Sequence, residues 1–167
     1  MKLLDLEIAN VRGIRELKLK PDGRNLAIWG PNGSGKSAVV DAVDFLLTGQ
    51  INRLTGKGTG GITLKAYGPR IGCKPQEAGV RARVEVDGVQ VVMERSMAHP
   101  ADLKCDPAAP EGLGAILSLA RRGQHVLTRR EILRYIQAEP STRAQEIQEL
   151  LGMEFFINMM HFAFFIR

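Results

Sequence analysis

Residues 30 to 37 read Gly-Pro-Asn-Gly-Ser-Gly-Lys-Ser, and they carry the most explicit chemistry in the chain. The spacing is G-x-x-x-x-G-K-[ST], that of a phosphate-binding loop. Gly30, Gly33 and Gly35 permit backbone angles that a Cβ forbids. Pro31, Asn32 and Ser34 fill the loop between them, and the N–H groups from Asn32 to Ala38 can then turn inward on one anion. Lys36 brings a mobile point charge for β- and γ-phosphates. Ser37 brings a hydroxyl for Mg²⁺. The positive end of the helix that follows adds to the attraction. The chemistry indicated is the binding of a nucleoside triphosphate with its magnesium ion.

Such a loop works only between a buried strand and a helix. Asn25 to Trp29 is a short apolar run that reads as that strand. Val39, Val40, Val43, Leu46 and Leu47 recur at helical spacing after the loop, and Thr48-Gly49 is a stop signal.

The rest of the chain must position this unit. Leu4, Leu6 and Ile8 alternate with Asp5 and Glu7, as in a half-buried strand. Asn10 to Gly13 is a turn, Leu17 and Leu19 mark a second strand, and Pro21-Asp-Gly23 is another turn. Residues 48 to 79 are glycine-rich and aperiodic. They read as a long loop with one short strand at Ile62 to Ala66. Val80, Ala82, Val84 and Val86 alternate with charged residues, Asp87-Gly88 is a hairpin signal, and Val89 to Glu94 returns as the partner strand. His99 to Pro110 reads as irregular. Three helices are expected to follow. The first carries Leu113, Ile116, Leu117 and Ala120. The second opens on the capping box Thr128-Arg-Arg-Glu131. The third carries Ile147, Leu150 and Leu151 and ends at Gly152. The fold class is therefore α/β: a phosphate-loop lobe with an antiparallel β subdomain and a helical C-terminal part.

With 167 residues, 44% hydrophobic and 25% charged, the chain has the composition of one soluble domain with a real core. No stretch reads as a signal peptide or a membrane span, so a cytoplasmic or nucleoid-associated protein is expected. Cys73 and Cys105 match no metal-ligand spacing and read as reduced thiols. His99, His125 and His161 read as structural.

The net charge is +5, with basic residues concentrated in two places. Arg53, Lys57, Lys65, Arg70 and Lys74 fall in a stretch without acids, and Arg121, Arg122, Arg129, Arg130 and Arg134 form a second group. Two readings fit: a phosphate-contacting nucleic-acid surface, or a solvated face. The lack of stacking aromatics around both groups favours the second when charge alone is weighed. Met153 to Arg167 holds five of the six phenylalanines. It divides the chain into a lobe over 1–152 and a Phe/Met-rich tail over 153–167, which is either a partner-docking helix, the end of something larger or a foreign segment.

The octet followed by Asp41-Ala42-Val43, its early position after two strands, and Ile8-Ala-Asn-Val-Arg12-Gly13 together resemble the SMC and RecF-like ATPases. These form the coiled-coil and DNA-repair branch of the ABC superfamily. Arg129 to Leu133 and Arg143 to Gly152 resemble the end of the family's N-terminal lobe. A transporter-type ABC domain is less similar, since it usually has an aromatic base-stacking loop ahead of the phosphate loop.

The resemblance implies an incomplete ABC-type head. A C-terminal lobe carries the signature sequence, the Walker B aspartate and the catalytic glutamate, and ATP is sandwiched between two heads. It also implies Arg12 near the phosphates, although a turn arginine paired with a neighbour is an equal reading of that residue. Three departures stand out. There is no LSGGQ-like signature, no Walker B run, and Thr128-Arg129 stand where a magnesium-sensing glutamine is expected, with Gln124 as its substitute. No catalytic residue is therefore expected in this chain. The partners implied are a C-terminal lobe or second head, and DNA in the full assembly. The rival reading is a truncated or regulatory nucleotide-binding module that docks a protein partner through its tail.

Overall fold

The computed structural model describes residues 1–55, 62–121 and 125–126. Gln124, the two helices expected after residue 127 and the tail at 153–167 lie outside the described residues.

Alternating apolar residues build a five-stranded antiparallel sheet. Its strands are β1 (Lys2–Val11), β2 (Ile14–Leu19), β3 (Gly79–Val86), β4 (Val89–Ser96) and β5 (Lys104–Asp106), in the order β2-β1-β3-β4-β5. The β3–β4 hairpin turns at Asp87-Gly88 and pairs Val86 with Val89, as its turn residues demand. In β1 the inward set is Leu3, Leu6 and Ile8, not Leu4, Leu6 and Ile8. A register shift against β3 between Leu3 and Asp5 leaves Leu4 without a cross-strand partner. One extra residue inverts the faces on either side of it.

Helix α1 (Lys36–Thr48) lies on the inner face of this sheet, with Phe45, Leu46 and Leu47 buried beside Val80, Val84, Val91 and Met93. Helix α4 (Glu111–Arg121) packs beside α1 through Leu113, Ile116 and Ala120. Burying each large side chain is worth about 1.5–3 kcal/mol, against about 1 kcal/mol net for a hydrogen bond. Packing therefore decides where α1 lies, and its polar contacts set its position along the sheet.

Three expectations are corrected. Asn25 to Trp29 forms no strand. Leu26 and Ile28 are half-buried and Trp29 is 88% exposed, so the period-2 pattern survives. β1 and β3, however, already have a neighbour on both edges, and a strand exists only where another completes its ladder. Ile62 to Ala66 is not a strand either. Thr63 accepts a hydrogen bond from the Ala66 N–H at 3.3 Å and caps helix α3 (Leu64–Tyr67). Helix α2 (Asn52–Thr55) and a 3₁₀ turn over Pro75–Glu77 also interrupt the supposed loop. Finally, the irregular stretch after His99 contains β5.

The C-terminal end of α1 is closed by two residues. Gly49 adopts φ +77 and donates its N–H to Phe45 O at 2.8 Å. Arg95, on the inner face of β4 and only 3% exposed, donates through Nε to Leu46 O at 2.9 Å and through Nη1 to Pro100 O. Its burial pushes the guanidinium pKa down. A Cβ on Gly49 would lie 2.3 Å from Pro100 O and 2.8 Å from Arg95 Nη1. Gly88 has a similar φ of +82 but nothing within 4 Å. Gly88→Ala is therefore expected to cost only the strain of a left-handed residue, about 1–2 kcal/mol. Gly49→Ala is expected to cost clearly more in urea unfolding, because the clash adds to that strain.

Candidate functional site

The segment 30–35 turns back on itself ahead of α1. Gly33 and Gly35 sit at φ +84 and +90, the left-handed region that favours glycine. The Lys36 ammonium donates to Gly30 O at 2.6 Å and Pro31 O at 2.8 Å, which holds the lysine over the loop although its side chain is nearly enclosed. Ser34 N–H reaches Pro31 O at 3.3 Å, and Ala38 N–H donates to Gly35 O at 2.9 Å. The N–H groups of Asn32, Gly33, Gly35, Lys36 and Ser37 have no acceptor among the described residues. These five unpaired donors, at the positive end of a 13-residue helix, form a cradle for an anion.

The cradle opens into a cleft of about 810 Å³. One side is the loop, with Asn32, Lys36 and Ser37. The facing wall is Ala66, Tyr67, Pro69 and Ile71, and Arg12, Arg53 and Arg70 add positive charge. Among the described residues no Asp or Glu lines this cleft. Among the described residues there is also no group of three His, Cys, Asp or Glu side chains that could hold a metal. A hard ion held by phosphate oxygens, waters and the single Ser37 hydroxyl is compatible with such a donor set.

The facing wall is fastened to the β1–β2 turn. Asn10 and Arg12 both take positive φ, +52 and +54. Arg12 N–H donates to Gly68 O and Arg70 N–H to Asn10 O, each at 2.8 Å. Arg12 Nη1 donates to Tyr67 O at 2.7 Å, and its Nε lies 3.5 Å from Asp41 Oδ2. Arg12 is thus a paired turn arginine, and it also lines the cleft.

Two carboxylates on α1 organise the ground under the loop. Asp41 accepts from Arg53 Nε at 3.1 Å and Nη2 at 2.6 Å. Burial pushes its pKa above the ordinary 3.8; the Arg53 and Arg12 guanidinium groups pull it back in part, and Asp44 adds to the rise. Asp44 accepts from Asn52 N–H at 2.7 Å, Asn52 Nδ2 at 3.0 Å and the Thr48 hydroxyl at 3.3 Å. His125 Nε2 stands 3.0 Å from Asp44 Oδ1, and since a carboxylate only accepts, that nitrogen carries the proton. His125 is thus structural. Sequence reasoning gave no role to Asp44, and it took Arg53 and Arg70 for members of a basic loop. The 12 residues between Asp41 and Arg53 hid their pairing, whereas the three-residue spacing of Thr63 to Ala66 was open to reading.

The profile of the AAA domain family matches residues 5–154. The chain belongs to that family. Among solved structures, the recombination mediator protein RecF in its ATP form matches over 90% of this chain with a TM-score of 0.55 and 19% identity. A second RecF structure, RecF-ATPrS, matches over 68% with a TM-score of 0.50 and 19% identity. The SMC head domain from Thermotoga maritima matches over 70% at 26% identity with a TM-score of 0.39. The matches cover 39%, 29% and 41% of those chains, so this AAA domain spans well under half of the structures it resembles. No curated protein matches it. The RecF likeness supports the P-loop lobe read from Gly30 to Ser37. Among the described residues, no helix is long and apolar enough to cross a membrane.

Because the Asp41 pKa is raised on folding, the folded chain binds that proton more tightly than the unfolded one. The stability it gives is complete below 3.8 and is lost as pH rises through the folded value. The stability of the wild type relative to Asp41→Asn should therefore fall between pH 3.5 and pH 7 in urea titrations of both proteins. A difference that grows with pH contradicts this.

Proposed function

We propose that this chain is the ATP-binding lobe of a RecF/SMC-type ATPase head that works on DNA in repair, chromosome maintenance or defence against foreign DNA. The observation that carries the reading is the set of five unpaired amides around a loop whose lysine is already in place. The amides of Asn32, Gly33, Gly35, Lys36 and Ser37 would take the phosphate oxygens. Gly30, Pro31, Ser34 and Ala38 shape the loop, and Lys36 would exchange two carbonyls for phosphate. Arg12 adds charge from the facing wall. Ser37 would hold Mg²⁺, which when bound neutralises phosphate charge. Gln124 is the candidate second contact to that ion.

Turnover needs more than this lobe offers. Among the described residues no carboxylate lines the cleft, so none of them can act there as a carboxylate general base. A C-terminal lobe or a second head would supply the general base and the signature sequence, and closure of such a dimer on ATP is the coupling step. A RecF structure of the same fold is that of a RecF–ATP complex, which supports ATP over other triphosphates. The basic residues Lys65 and Lys74 would face DNA or the second head, and such a protein would work in the cytoplasm or at the nucleoid.

Calorimetry should find MgATP binding by the purified chain that Lys36→Ala weakens by at least tenfold, with no steady-state phosphate release. Hydrolysis that Lys36→Ala abolishes would overturn the half-site reading. DNA affinity should rise with ATP and fall steeply between 50 and 200 mM salt. Weak, salt-insensitive binding would instead favour a module that docks a protein.

A further inference from the structure

Asp41 lies outside the phosphate loop, yet it is the most enclosed carboxylate among the described residues, at 4% exposure. It stands one turn after Ser37 on the same face of α1. Two guanidinium groups from distant parts of the chain meet on it: Arg53 in bidentate fashion from α2, and Arg12 from the β1–β2 turn. Both arginines also line the nucleotide cleft. Arg12 uses Nη1 on Tyr67 O and Nε toward Asp41, while Arg53 uses Nε and Nη2. Arg12 Nη2 and Arg53 Nη1 therefore keep donors without a partner among the described residues.

A buried carboxylate is costly unless it is paired, and a small apolar side chain would serve α1 equally well at a purely structural position. What Asp41 adds is orientation. A guanidinium held on one edge presents its other edge in a fixed direction, and donors fixed in advance need no reorganisation when a charged ligand arrives.

We propose that Asp41 is a positioning residue that holds Arg12 and Arg53 at the cleft wall, with their remaining N–H groups set to take the terminal phosphate of the nucleotide. This deepens the ATP-binding reading above and rests on it. It makes the carboxylate a determinant of triphosphate over diphosphate preference. The loop amides serve the phosphates common to both ligands and Lys36 spans the β- and γ-phosphates, whereas the two arginines add donors at the end of the longer chain.

The test is a thermodynamic cycle on the full chain. Dissociation constants for MgATP and MgADP are measured for the wild type, Asp41→Asn, Arg12→Ala/Arg53→Ala, and the triple variant. Asp41→Asn should weaken MgATP roughly tenfold, the loss of about one charge-assisted contact, and MgADP by less than threefold. In the Arg12→Ala/Arg53→Ala background it should add nothing, because the groups it acts through are gone. Arg53→Lys, at a half-exposed side chain, keeps the charge and loses the fork. It should reproduce the ATP-selective loss with an unchanged melting temperature, which keeps the test open if Asp41→Asn folds poorly. Equal losses for ATP and ADP, or a full loss from Asp41→Asn without the two arginines, would overturn the proposal. If the wild type shows no Lys36-dependent ATP binding at all, the nucleotide-binding reading itself fails. If that binding is present and the cycle is additive, only the role of Asp41 fails.

Discussion

The loop that ends at Gly35 holds five amide groups apart from any acceptor, and it can do so only while α1 is immobile beneath it. If the helix shifted so that neighbouring carbonyls reached these N–H groups, they would be satisfied within the fold and lost to a ligand. The fixing is mostly apolar: Ala42, Phe45, Leu46 and Leu47 are at or near complete burial against the sheet. Its polar part sits at the far end, where Arg95 reaches through the core to Leu46 O and Pro100 O. A guanidinium there costs solvation and is worth its place because helix C-terminal carbonyls have no partners of their own. The two ends of α1 thus have opposite designs. The C-terminal end has its polar groups paired inside the fold, and the N-terminal end has them unpaired and facing a cleft.

The same division governs the charges. Lys36, Arg12, Arg53 and Arg70 surround the cleft, and four cations so close together repel one another. The acidic residues of α1 answer this from behind. Asp41 lies between two of the arginines, and Asp44 ties α2 and His125 to the helix. Both carboxylates are engaged in doing so. Asp41 meets two guanidiniums, and Asp44 accepts from an amide, a backbone N–H, a hydroxyl and an imidazole. Neither is among the described residues that line the cleft. Charge balance in the resting site and general-base chemistry make competing demands on the same residue type, and α1 meets only the first.

What could be read from the sequence was whatever is decided locally. The octet, the Asp87-Gly88 hairpin and the apolar spacing of α4 each carry their conformation in a few adjacent residues, and each stands where the spacing put it. The failures share a cause as well. Whether Asn25 to Trp29 is a strand depends on a neighbour that adjacent residues cannot specify. Helices α2 and α3 have four residues each, too few to be stable by propensity, so they exist through contacts with α1 and the turn at Arg12. The bulge that moves Leu3 inward is set by pairing with Val84. The chemistry of the site divides in the same way: the donors of the loop were legible, while the pairing of Asp41 with Arg12 and Arg53 joins positions 12 and 29 residues apart on either side of it.

The exposed Trp29 belongs to this last class and bears on how the loop is presented. It is the residue immediately before Gly30, and its side chain is 88% exposed, while Ile28 keeps partial contact with the core. An indole of that size left in water forgoes about 2 kcal/mol of burial. The segment that leads into the phosphate loop is thus held on one face only. The sheet cannot supply the other face, because its interior strands are fully paired and the segment lies outside them. The entry to the loop is therefore less constrained than its exit at α1. Anything that packed against Trp29 would stiffen the loop from the side that this fold leaves open, by adding contacts where α1 has none to give.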